Sequence, residues 1–170
     1  MALRRVAALM SGLMLTVVGV ALAPSAYAVN PDIRNKNSGL CLGVMGGSTV
    51  RGSSVAQWEC NGNADQKWVY EYIGNGFYNI RNVGSNQCLA IKGGSWNQGA
   101  PIIQWDCNGN GDQMWYIRQG SGGYFELLNG NNTATGGSVD LCLAIDGART
   151  DWGAPAISWE CNGRDDQSWT

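Results

Sequence analysis

Apolar and polar positions follow two different rhythms along this chain. From Val6 to about Ala23 the residues are nearly all apolar, with Arg4 and Arg5 before them and Ala26-Tyr27-Ala28 after. Two basic residues, a short apolar core and an A-x-A site form the pattern of a secretory leader, with cleavage expected after Ala28. A membrane-spanning helix needs roughly 20 apolar residues. Here Ser11, Gly12, Thr16 and Gly19 interrupt the run and Pro24 ends it, which argues against an anchor. Beyond residue 28 the apolar positions come in short clusters. Phe77–Arg81, Tyr124–Leu128, Ile102–Cys107 and Trp115–Arg118 are β-branched or aromatic, bounded by Gly and Asn, and read as strands. Asn75-Gly76, between Trp68–Ile73 and Phe77–Arg81, predicts a type I′ hairpin, whose central residues both need positive φ. Gly120–Gly123 plays the same part at the next junction. No segment keeps a 3.6-residue apolar period, so helix content is expected to be negligible.

The clusters repeat. Cys41-Leu42-Gly43-Val44 recurs as Cys88-Leu89-Ala90-Ile91 and as Cys142-Leu143-Ala144-Ile145. Nineteen positions after each first cysteine comes a second, Cys60, Cys107 and Cys161, preceded two residues earlier by Trp58, Trp105 and Trp159. Each copy closes on Asp-Gln-x-Trp: Asp65-Gln66-Lys67-Trp68, Asp112-Gln113-Met114-Trp115 and Asp166-Gln167-Ser168-Trp169. The copies start 47 and then 54 residues apart, and the extra seven residues fall in the Gly, Asn and Thr-rich loop Asn129–Asp140. Three repeats, about 30–74, 75–120 and 121–170, thus fill a single domain over 29–170. Each offers about four short strands, about twelve in all. No copy can bury its apolar face alone, so the three must close around a shared core. That core should hold Leu42, Leu89 and Leu143, then Val44, Ile91 and Ile145, then Trp68, Trp115 and Trp169.

Six cysteines allow fifteen pairings on number alone. Their identical spacing favours one disulfide within each copy, worth roughly 3 kcal/mol through loop closure. With no histidine and no C-x-x-C pair, zinc is not expected, nor is any other metal or cofactor. Without Arg4 and Arg5 the chain carries nine basic and thirteen acidic side chains. That balance, with no basic stripe, argues against nucleic acid or anionic membrane as partner. Catalysis is not expected either. The commonest general base is absent and the thiols are paired off. Asp165 and Asp166 are neighbours rather than an opposed acid and base.

Three copies of Cys-Leu-x-Val/Ile, a tryptophan two before the second cysteine, and a closing Gln-x-Trp resemble the R-type lectins. These are the β-trefoils of ricin B chains and of modules attached to many bacterial glycosidases. The resemblance runs from about Asn30 to Thr170. It implies an all-β trefoil with up to three shallow sugar sites and, as partner, galactose-type sugars, xylan or another polysaccharide, bound by a secreted monomer. In the family a binding copy usually has aspartate two residues after the first cysteine, where this chain has Gly43, Ala90 and Ala144. Asparagine usually precedes the Gln-x-Trp, where this chain has Asp65, Asp112 and Asp166. The expectation is that the carboxylate has moved across the pocket. The implied sugar-binding set is Trp58, Asp65 and Gln66; Trp105, Asp112 and Gln113; and Trp159, Asp166 and Gln167, with Asp146 as an added carboxylate in copy three. The competing reading of the aspartates is that they tie down the turn before the last strand. Trp96 and Trp152, in the loops of copies two and three, are candidate extra platforms that would favour those copies over copy one. The alternative to a lectin is a protein-binding trefoil, such as an inhibitor or a toxin-delivery subunit, that has lost its sugar sites.

Overall fold

The computed structural model describes residues 32–131 and 139–170. The expected leader over 1–28 and most of the insertion after Asn129 lie outside these residues. Ten antiparallel strands follow one another: β1 (Cys41–Val44), β2 (Val55–Trp58), β3 (Trp68–Gly74), β4 (Phe77–Asn82), β5 (Cys88–Ile91), β6 (Ala100–Trp105), β7 (Trp115–Gln119), β8 (Phe125–Asn129), β9 (Leu141–Ile145) and β10 (Ala156–Glu160). The count falls two short of twelve because the first and last strand positions, next to the described chain's ends, make only isolated bridges. Asp32, Arg34 and Asn35 stand in for one, and Trp169 for the other.

Two layers result. β3, β4, β7 and β8 pair in succession, Phe125 bridges to Trp169, Trp169 to Asn35, and Asp32 to Lys67 just before β3. That cycle closes a six-position barrel and leaves it no free edge. The other strands form three hairpins, β1–β2, β5–β6 and β9–β10, which cap one end. They meet one another through Ile157↔Pro101, Ser54↔Ile103 and Ala56↔Pro155. At the Asn75-Gly76 turn φ is +52° and +84°, as a type I′ hairpin requires. Among the described residues, six three-residue 3-10 turns punctuate the strands, and no helix is long and apolar enough to cross a membrane.

The core holds the expected residues. Leu42, Leu89 and Leu143, Val44, Ile91 and Ile145, and Trp68, Trp115 and Trp169 are all essentially inaccessible to solvent. Ile33, Ile80 and Leu127, on the first strand position of each repeat, join them. A buried indole needs a partner for its N–H. Trp68 donates to the Leu42 carbonyl at 2.9 Å, Trp115 to Leu89 at 2.9 Å and Trp169 to Leu143 at 3.2 Å. The disulfides are Cys41–Cys60, Cys88–Cys107 and Cys142–Cys161, one within each repeat.

Truncating Trp169 should therefore remove core volume and orphan a buried carbonyl. Trp169→Ala is expected to cost about 3–5 kcal/mol, measured by urea unfolding, and Trp159→Ala, at a ring that is 41% exposed, far less. Similar losses for the two would contradict this division between packing and surface tryptophans.

Candidate functional site

Each repeat carries one shallow pocket, built where its capping hairpin meets the turn before its closing strand. Two strands and two turns supply the walls. The register sets Trp58 opposite Cys41, Trp105 opposite Cys88 and Trp159 opposite Cys142, so the disulfide anchors the strand beside each tryptophan. Successive residues of a strand point to opposite faces. Ala56 and Trp58 accordingly line the pocket while Gln57 is directed away from it, fully buried. The first pocket, of about 370 Å³, is bounded by Met45, Trp58, Asn61, Asn63 and Asp65. The second, about 460 Å³, has Lys92, Trp105, Asn108, Asn110 and Asp112 in the same places. The third, about 300 Å³, has Asp146, Trp159, Asn162, Arg164 and Asp166.

The aspartates stand in these pockets because other residues hold the turn. Asn61 accepts the N–H of Asn63 at 2.9 Å. The buried Gln66 donates to the Glu59 carbonyl at 2.8 Å and accepts the N–H of Asn61 at 3.0 Å. Gln113 and Gln167 repeat both bonds, to Asp106 and Asn108 and to Glu160 and Asn162. The three glutamines of the expected binding set therefore sit behind the pockets, with both amide atoms engaged, and line none of them. A Cβ built on Gly43 would lie 3.4 Å from Asp65 Oδ2 and 2.9 Å from the Gln66 side chain. The carboxylate thus lies in contact with the place where a side chain at position 43 would begin. Burial raises the carboxyl pKa of Asp112 and Asp166 above the ordinary 3.8, opposed in each by the residue's own N–H and, for Asp166, also by Arg164.

A set of asparagines was not visible from the cysteine spacing. Asn82 donates to the Asp65 carbonyl at 2.8 Å, Asn129 to Asp112 at 3.0 Å and Asn35 to Asp166 at 2.9 Å. Each belongs to the repeat after the one it steadies, in cyclic order, and each is buried. Their signal is the pattern Ile33-x-Asn35, Ile80-x-Asn82 and Leu127-x-Asn129, with the insertion shifting the third copy relative to its cysteines.

The pockets also borrow from the repeat before them. Gln57 donates to the Arg149 and Asp151 carbonyls, Gln104 to those of Ser48 and Val50, and Ser158 to that of Asn97. Each bond clamps the preceding repeat's loop against the next repeat's tryptophan. Gly153, Gly52 and Gly99 then come close to Trp58, Trp105 and Trp159 respectively, at positive φ with no side chain to intervene. The residue before each glycine reaches across the boundary too. Trp152 packs on Trp58 with ring centroids 5.7 Å apart and a 39° tilt. The Arg51 guanidinium lies 4.7 Å from the Trp105 ring centroid and pairs with Asp106 at 3.0 Å. Gln98 donates to Glu160, next to Trp159, at 3.3 Å. Trp152 therefore adjoins the pocket of copy one, not that of its own copy three, because the loop is pinned to the neighbouring hairpin. Trp96 is exposed on the loop of copy two. Asp146 lines the third pocket at the place Lys92 and Met45 hold in the others.

The designed three-fold symmetric protein ThreeFoil superposes with a TM-score of 0.76 at 28% identity, covering 81% of this chain and 94% of that one. The exo-β-1,3-galactanase 1,3Gal43A of Clostridium thermocellum gives 0.76 at 28% identity over 82% of this chain. The hemolytic lectin CEL-III gives 0.62 at 29% over 81%. The chain spans only 29% of the galactanase and 28% of CEL-III. No curated protein matches it by sequence. A family described as ricin-type β-trefoil lectin domain-like matches residues 30–105 and 67–141. With that match and three pseudo-equivalent disulfide-stapled repeats, the chain belongs to the ricin-type β-trefoil lectin-like domains.

Proposed function

We propose that the protein is a secreted carbohydrate-binding protein whose three pockets are sugar sites, and that it binds rather than catalyses. The observation that carries this reading is the carboxylate of Asp65 beside Gly43, in one pocket with a tryptophan that is 43% exposed. The apolar face of a pyranose lies on Trp58, Trp105 or Trp159, gaining area burial and contact with the negative face of the ring. Asp65, Asp112 or Asp166 accepts hydrogen bonds from two sugar hydroxyls, which are stronger for being charge-assisted. Asn61 and Asn63, with their counterparts, complete the polar wall. The buried glutamines serve by keeping that wall in place.

Such sites are shallow and bind weakly one at a time. Three on one rigid monomer gain by avidity when the ligand is a polymer or a dense cell-surface glycan. Galactose-containing glycans come first among the ligands, since a β-1,3-galactanase is among the solved structures similar to this chain. Residues 1–28 act as the leader, and 29–170 as the mature domain.

Binding of the oxidised protein to a glycan panel, with free-sugar competition, tests the reading. Saturable binding displaced by a soluble sugar is expected. Replacing Asp65, Asp112 and Asp166 together with Ala should abolish it, a loss of at least tenfold for charge-assisted bonds of roughly 1.5–3 kcal/mol, with the circular dichroism unchanged. Undiminished binding by the triple variant would sink the assignment.

Acidity should move binding and stability in opposite directions. Only the ionised carboxylate is a full acceptor, so affinity falls as pH drops through the raised pKa values of Asp112 and Asp166. A carboxyl whose pKa is higher in the folded state contributes stability that is complete below the unfolded value of 3.8. That contribution is lost as pH rises through the folded value. Asp112→Asn and Asp166→Asn should each flatten that decline in a thermal-shift series across acid pH, and a slope that persists in both variants would count against the burial of these groups.

A further inference from the structure

The three pockets share a frame but differ in charge. At the start of the 3-10 turn that follows β1, β5 and β9 stand Met45, Lys92 and Asp146. Each lines the pocket of its own repeat. The first pocket has Asp65 as its one charged wall residue, and the third has Asp146 and Asp166 against Arg164. Both are left with one net negative charge. In the second, Lys92 balances Asp112.

Lys92 is exposed, and its side chain makes no ion pair or hydrogen bond among the described residues. A second positive group stands at the edge of this site. Arg51, from the preceding repeat, lies over the Trp105 ring. Its partner Asp106 does little to hold it, since the two side chains are 57% and 60% exposed and such pairs contribute little in water. The guanidinium also covers part of the platform. Trp105 is less exposed than Trp58 and Trp159, at 43% and 41%. Compared with its two counterparts, this pocket has exchanged apolar ring surface for positive charge.

We propose that the pocket of the second repeat takes a sugar bearing a carboxylate, a uronic acid residue, with Lys92 and Arg51 flanking that carboxylate and Asp112 receiving the hydroxyls. The proposal rests on the reading of the pockets as sugar sites and adds a ligand class for one of them. The first and third pockets repel such a residue and keep to neutral sugars. The protein then holds a mixed polymer at chemically different points, uronate at one site and neutral residues at the other two.

The test is an NMR titration of the oxidised protein with digalacturonate and, separately, with its dimethyl ester, an uncharged counterpart of nearly the same shape. The indole N–H signals of Trp58, Trp105 and Trp159 report the three pockets individually. Digalacturonate should bind at Trp105 about three- to fivefold more tightly than the ester, the size expected of an exposed ion pair. The preference should shrink as salt is raised. Lys92→Met should reduce it, the double variant Lys92→Met/Arg51→Gln should remove it, and Met45→Lys should create one at Trp58. Equal binding of acid and ester at Trp105, or a preference undiminished in the double variant, overturns the proposal and leaves the sugar reading standing. If neither that pair nor any neutral sugar moves an indole signal, both fall together.

Discussion

Trp68, Trp115 and Trp169 each donate an indole N–H to the carbonyl of the leucine that follows the first cysteine of the same repeat. Through that bond the closing strand of a repeat, which belongs to the barrel, is tied to the hairpin that caps it. The ring fills the junction between the two layers and its polar atom is satisfied there, as burial demands. The residues just before each tryptophan form the 3-10 turn that carries the pocket aspartate. Placement of the aspartate against the hairpin thus depends on a contact made wholly inside the core.

Around that anchor the backbone amides and carbonyls of the pocket turn are accounted for one by one. A buried glutamine holds the chain on either side of the second cysteine, and a buried asparagine from the next repeat holds the aspartate carbonyl. The turn is secured by neutral side chains, and the aspartates line the pockets beside it. The loss of the carboxylate two residues after each first cysteine is therefore compatible with a working acceptor elsewhere. A Cβ at position 43 would meet the Asp65 carboxylate at 3.4 Å and press on Gln66 at 2.9 Å, so the two positions are neighbours in one pocket.

Cyclic order is the second organising fact. Asn35, Asn82 and Asn129 each support the turn of the repeat before them, while Gln57, Gln104 and Ser158 each clamp the loop of that same repeat. Every pocket is consequently an object of two repeats, and a change in one loop alters the neighbour's site. This is how three copies of one unit come to differ: Trp152, Arg51 and Gln98 act on Trp58, Trp105 and Trp159, not on the tryptophans of their own copies.

How much of this was legible beforehand follows from the range of each interaction. Repetition of Cys-Leu-x-Val/Ile and of Asp-Gln-x-Trp in the sequence determined the number of repeats, the disulfide pairing within them and the nine central core residues. These are features in which each copy repeats the same local pattern. The Asn75-Gly76 turn was legible for the same reason, since its φ values are a property of two adjacent residues. The strand count was not, because the first and last positions pair with each other across the barrel through single bridges. Nor was the role of Gln66, Gln113 and Gln167, whose burial depends on how the turn folds over them. Only the tertiary structure decided which loop serves which pocket. Residues more than ninety positions apart, such as Trp58 and Trp152, become neighbours when the barrel closes, and that closure is a collective result of packing three apolar faces that no single repeat can bury.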